Sequence, residues 1–138
     1  MSYSVNLLTT VAECDQVLSE AADERAELEF RQVQLQRLHS MGTGKAAELQ
    51  VELTGATSEY NTLAALLPGM AEGNAKKRNE REYKRLEYRI YVLTQQQSSG
   101  QGGILTRFKR QYELNCLAQS LIENNTLKTE VEARRAAL

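Results

Sequence analysis

The apolar residues of this chain recur at alternating steps of three and four. Between residues 45 and 67 the positions Ala46, Leu49, Leu53, Ala56, Tyr60, Leu63 and Leu67 follow that rule without a miss. Such steps place side chains on one face of a helix, whereas a half-buried strand needs steps of two. Asn79, Tyr83, Leu86, Ile90, Leu93 and Gln97 repeat the pattern, and so do Val11, Cys14, Leu18, Ala21, Arg25, Leu28, Gln32 and Leu35, with polar interruptions at Arg25 and Gln32. The C-terminal stretch carries two overlapping stripes, Leu105, Phe108, Tyr112 and, farther on, Leu114, Leu117, Leu121. A chain built this way folds as helices that hide their stripes against one another.

Glycine and proline punctuate the pattern. Gly42-Thr43-Gly44, Pro68-Gly69 with Gly73, and the run Ser98-Ser99-Gly100-Gln101-Gly102-Gly103 separate four stretches rich in Ala, Leu, Glu, Gln, Arg and Lys. These are good helix formers closed by helix stops. The short connections favour antiparallel neighbours. The expected fold is therefore all-α, an antiparallel up-down-up-down four-helix bundle with long first and last helices, forming one domain over residues 1–138. One Pro, no Trp and no Gly before residue 42 argue against a turn-rich β architecture. Thr10 with Glu13 reads as a capping box, which leaves residues 1–9 as an arm. Residues 125–138 have two readings of equal weight: a stop at Asn124-Asn125-Thr126 that leaves a frayed tail, or a helix end that contacts another chain.

Several chemistries are excluded by counting. The longest apolar run, Leu63–Leu67, is five residues, far short of the roughly 20 that span a bilayer. With hydrophobic residues at 41% and charged residues at 25%, the composition is that of a folded soluble protein. The N-terminus has no basic region followed by an apolar block, so no secretory signal is expected. A di-metal bundle needs two Glu-x-x-His units, and the single histidine, His39, follows Gln36 rather than a glutamate at that spacing. His39 is expected near the end of the first helix, where a cation suits the macrodipole. Gly42-Thr43-Gly44-Lys45 has the tail of a phosphate-binding loop but lacks its first glycine and its Ser or Thr. Cys14 and Cys116 are expected to be free, semi-buried thiols with no histidine to activate them, which suits a reducing cytoplasmic setting. No catalytic, metal or cofactor-binding residue is expected.

Charge is the informative remainder. Residues 1–72 carry 4 basic and 11 acidic side chains, and residues 73–138 carry 13 basic and 7 acidic ones, so a net charge of −1 conceals two opposite halves. Lys76, Lys77, Arg78, Arg81, Lys84, Arg85 and Arg89 open the third stretch, where acidic residues would suit the helix dipole better. Asp15, Glu20, Asp23, Glu24, Glu27 and Glu29 form an acidic counterpart in the first. The ends of the long outer helices outrun the inner pair, which leaves Leu7, Leu8, Val11, Leu18, Ile122, Leu127 and Val131 to be covered by each other or by a second chain. Two expectations follow. The chain is a non-enzymatic structural or protein-interaction module that self-associates through helix faces, a dimer being favoured. The alternative is nucleic-acid or polyanion binding through Lys76, Lys77, Arg78, Arg81, Lys84 and Arg85, with Tyr83, Tyr88 and Tyr91 available to stack on bases.

Overall fold

The computed structural model describes residues 3–100 and 102–138. The first two residues of the expected arm, and Gln101 in the glycine-rich loop, lie outside the described residues. Every α or 3-10 element is helical, with no strand among the described residues. A 3-10 turn (Val5–Leu7) precedes α1 (Val11–Leu66), a second 3-10 turn (Leu67–Gly69) follows it, and α2 (Asn74–Ser98) and α3 (Ile104–Ala137) complete the chain.

Among the described residues three α-helices are formed, not four. The expected turn at Gly42-Thr43-Gly44 is absent: α1 runs through it for 56 residues. The up-down-up-down four-helix topology therefore does not hold for the single chain. The physical reason lies in the stripe itself. From Leu35 the three-and-four steps continue through His39, Gly42 and Ala46 to Leu49, and all of these are buried or half-buried. A glycine costs about 1 kcal/mol in a helix interior, whereas ending the helix would strand carbonyl and N–H groups on both sides and require a second nucleation.

Cα packing divides the chain into two units, residues 1–38 with 110–138, and residues 39–109. In the first, α3 runs antiparallel to the start of α1. Arg135 Nε meets Asp15 Oδ1 at 2.6 Å, Asn124 Nδ2 donates to the Ala21 carbonyl at 2.9 Å, and Arg110 Nη1 donates to the Leu38 carbonyl at 3.0 Å. Cys14, Ala21, Leu117 and Val131 are its buried apolar residues, with Asn124 buried among the polar ones. Of the two readings of Asn124-Asn125-Thr126, the stop does not form, since α3 continues to Ala137. The capping box forms as expected. Thr10 Oγ1 accepts from the Glu13 N–H at 3.2 Å, while Glu13 Oε2 accepts from the Thr9 and Thr10 N–H groups at 2.7 and 3.2 Å. The arm before it is tied to α3: the Tyr3 N–H donates to Glu130 at 2.7 Å, the Tyr3 hydroxyl to Glu123 at 2.5 Å, and Arg134 Nε to the Leu8 carbonyl at 3.0 Å.

The second unit is a helical hairpin. Leu49, Ala56, Leu86 and Leu93 are buried together, with Leu53, Tyr60, Leu63 and Ile90 packed against them. Those residues are the stripes read from the sequence. The antiparallel register is recorded by Tyr60 with Tyr83, Glu52 with Arg89 and Gln50 with Gln97. The two tyrosine rings stack at 4.4 Å, and their hydroxyls share a 2.7 Å hydrogen bond. Pro68 opens the turn after α1, and Gly73, at φ 155°, holds a conformation that other residues avoid. At the other end Gly102 lies against α1. A Cβ there would meet the Ala46 nitrogen at 3.0 Å.

Candidate interaction faces

The α2 seam fixes which way its charges point. With Asn79, Tyr83, Leu86, Ile90 and Leu93 turned towards α1, the positions Lys77, Arg81, Lys84, Tyr88 and Tyr91 fall in line on the opposite face, again at steps of four and three. Tyr88 and Tyr91 are 70% and 61% exposed, whereas Tyr83 belongs to the packed side. The cations are not equivalent. Lys76 pairs with Glu72 and Arg85 with Glu82, each at 2.8 Å, and Arg89 approaches Glu52 at 3.4 Å. The Glu72 carboxylate, through its hydrogen bond and then its charge, raises the Lys76 pKa. Lys77, Arg78, Arg81 and Lys84 are exposed and make no ion pair among the described residues. The α2 N-terminus adds to this. Gly73 gives no side-chain cap, and no acidic residue occupies the first turn. Lys77 and Arg78 thus stand by the first turn of α2, where the helix dipole opposes them, and Arg81 and Lys84 follow one and two turns farther on.

A groove of about 610 Å³ beside this face is lined by Glu52, Glu59 and Glu82 as well as Arg85 and Arg89. Its alternating charges make it a poor anion pocket. The free cations, not the groove, carry the basic character of α2.

In the other unit, α1 presents Glu20, Asp23, Glu24 and Glu27, all exposed. Gln16 donates to Glu20 at 3.3 Å, and Asp15 and Glu29 are already paired with Arg135 and Arg25. Asp23, Glu24 and Glu27 have no ion pair among the described residues. Farther along α1, Phe30 and Val33 are 66% and 64% exposed, turned about 80° and about 140° round the helix from Glu20. On α3 the two overlapping stripes separate. Leu117 is buried with Leu114 and Leu121 half-buried, while Leu105, Phe108 and Tyr112 stand 67 to 68% exposed next to Ile104 at 62%.

The residues expected to mediate self-association divide in the same way. Val131 is 1% exposed and fills the seam, and Leu8, Leu18 and Leu127 are half-buried, whereas Leu7, Val11 and Ile122 face outward at 80%, 39% and 59%. His39 is not at a helix end. It sits within α1 on the seam side, and its Nδ1, like Arg107 Nε, is buried without a hydrogen-bond partner. Both cysteines are free, Cys14 buried and Cys116 exposed rather than semi-buried. Among the described residues no group of three or more His, Cys, Asp or Glu could hold a metal ion, and no helix is long and apolar enough to cross a membrane. The chain matches no protein-family model, no curated protein and no solved structure.

Proposed function

We propose that the chain is a non-enzymatic helical interaction module that self-associates through the outer faces of its helices. The observation that carries this reading is the cluster of large apolar side chains left outside the seam, Ile104 and Leu105 with Phe108 one turn farther along α3, each more than 60% exposed. Contiguous exposed apolar surface of this kind marks contact sites more often than scattered single residues do. Two copies would bring four helices to one level, the four-helix arrangement that one chain does not form. Leu7, Val11 and Ile122 are the outward members of the set assigned to such contacts. The unpaired cysteines favour a cytoplasmic setting for it.

The test is the mass in solution as concentration rises. Light scattering should show a mass climbing above the 15.5 kDa of one chain. A mass that stays at one chain throughout removes the reading.

A second reading, polyanion binding by α2, is favoured by the alignment of Lys77, Arg81 and Lys84 with the exposed Tyr88 and Tyr91. Cations that track a backbone beside aromatic rings are the recurring means of holding single-stranded nucleic acid. A mobility shift at low salt that disappears in Lys77→Glu/Arg81→Glu supports it, and no shift with single- or double-stranded DNA or RNA retires it.

A further inference from the structure

An acidic strip on one flank of α1 and a basic strip on the outer face of α2 share one spacing. On α1, Glu20, Glu24 and Glu27 are followed by Phe30 and Val33. On α2, Lys77, Arg81 and Lys84 are followed by Tyr88 and Tyr91. Each charged triplet spans eight residues, seven steps or about 10.5 Å of helix at ~1.5 Å per residue. All ten side chains are exposed. Every one of the three cations, and Glu24 and Glu27 among the anions, lacks an ion pair among the described residues.

We propose that the basic face of α2 in one copy docks on the acidic face of α1 in a second copy, with the two helices parallel. The inference rests on the self-association reading above and adds an ionic contact to the apolar one on α3. A constant offset of 57 positions sets Glu20 against Lys77, Glu24 against Arg81 and Glu27 against Lys84. The same offset brings Phe30 and Val33 within one residue of Tyr88 and Tyr91, and puts Arg31 level with the Tyr88 ring. An antiparallel alignment also pairs the charges, but it sets Phe30 against Asn74 at the start of α2, carries Val33 past it, and sets both tyrosines against the start of α1. Parallel alignment is the one that brings Phe30, at the edge of the acidic strip, to the level of Tyr88. A second copy is favoured over nucleic acid because it occupies both faces, whereas a polyanion uses α2 alone and is repelled by the acidic face of α1. The contact is heterologous: each copy offers one face of each kind. Two copies close only by making both contacts at once, and otherwise the assembly grows.

Sedimentation velocity tests this with the whole chain at about 20 mM and about 500 mM NaCl, conditions that bracket strong and weak screening. The variants are Lys77→Glu/Arg81→Glu/Lys84→Glu, Glu20→Lys/Glu24→Lys/Glu27→Lys, and their equimolar mixture, with circular dichroism confirming helix content. The wild-type protein should assemble at low salt, with an apparent dissociation constant at least about tenfold weaker at high salt. Each reversed variant should assemble at least about tenfold more weakly than the wild-type protein at low salt, and the mixture should recover that loss. For the register, Glu27→Lys should be rescued by Lys84→Glu and not by Lys77→Glu. The opposite rescue overturns the parallel alignment. Reversed variants that assemble like wild type overturn this contact while leaving self-association in place. A wild-type protein that sediments as one chain at both salt concentrations overturns both. An α2-reversed variant that keeps its assembly but loses binding to a single-stranded oligonucleotide makes the polyanion the occupant and overturns the proposal.

Discussion

Asn124 is the buried polar residue of the first unit, 6% exposed, and its amide donates to the Ala21 carbonyl 2.9 Å away. A polar side chain in an apolar seam is tolerated when it is bonded, and it then favours one register over its neighbours. Asn124→Ala should lower stability by about 1 kcal/mol in urea unfolding, the worth of one such bond. A loss of no more than a few tenths would mean that the bond contributes nothing to holding α1 and α3 together. Asparagine reads as a helix stop in sequence because its side chain competes for local backbone groups. Here the deciding carbonyl lies 103 residues away, which local preference cannot express. Glu13 is the opposite case. Its cap was legible because both partners lie within four residues. Backbone N–H groups of Thr9 and Thr10 hold its carboxyl below the usual carboxylate range. A depressed native pKa means that the cap contributes fully above the unfolded value of about 4.3 and is lost as pH falls through the native one. The stability difference between wild type and Glu13→Gln, measured by urea unfolding, should therefore shrink as the pH is lowered from 7 to 3. A difference that stays constant over that range would show that the carboxylate plays no part.

At the scale of the element, glycines divide by role. Gly44 and Gly55 lie inside α1, and a Cβ at either would meet nothing within 4 Å. Gly102 and Gly103 form the loop before α3, where a Cβ would meet backbone at 3.0 and 2.9 Å. Gly44→Ala and Gly55→Ala should each raise stability by about 1 kcal/mol. Gly102→Ala and Gly103→Ala should each lower it by about 1 to 3 kcal/mol, because backbone must move. Thermal unfolding of the four variants distinguishes these outcomes, and destabilisation by Gly44→Ala would restore a turn there. Composition alone gave Gly42-Thr43-Gly44 the weight of a seam. The information that overrules it is the phase of the stripe, which passes from Leu35 to Leu49 in steps of four, three, four and three with His39 and Gly42 as its weakest members. Neither is a large apolar residue, so a search for hydrophobic spacing stops short of them. The rotation of α2 was legible, since Tyr83 in the stripe puts Tyr88 and Tyr91 outside it. The choice between the two stripes of α3 was not, because Leu105, Phe108 and Tyr112 are as apolar as Leu114, Leu117 and Leu121. Only the partner helix decides which turns inward.

Across the whole molecule, charge follows the two packing units. Residues 1–38 with 110–138 hold 7 basic and 11 acidic side chains, a net of −4, while residues 39–109 hold 10 basic and 7 acidic, a net of +3. A chain of net −1 carries little general attraction for polyanions, yet its exposed faces are far from neutral. Opposite faces on one chain make association depend on salt, and this dependence separates ionic docking from association through Ile104, Leu105 and Phe108, which salt would strengthen or leave unchanged. Both routes require that the seam side of each helix be used within the chain, which in turn requires α1 to be a single helix in constant phase. Backbone NMR assignment across residues 36–48 tests that most directly. Helical Cα shifts and unbroken Hα–HN (i, i+3) contacts through Gly42, Thr43 and Gly44 are the predicted result. Extended or turn-like shifts at those three residues, with the contacts interrupted, would contradict it and return the chain to separate helices.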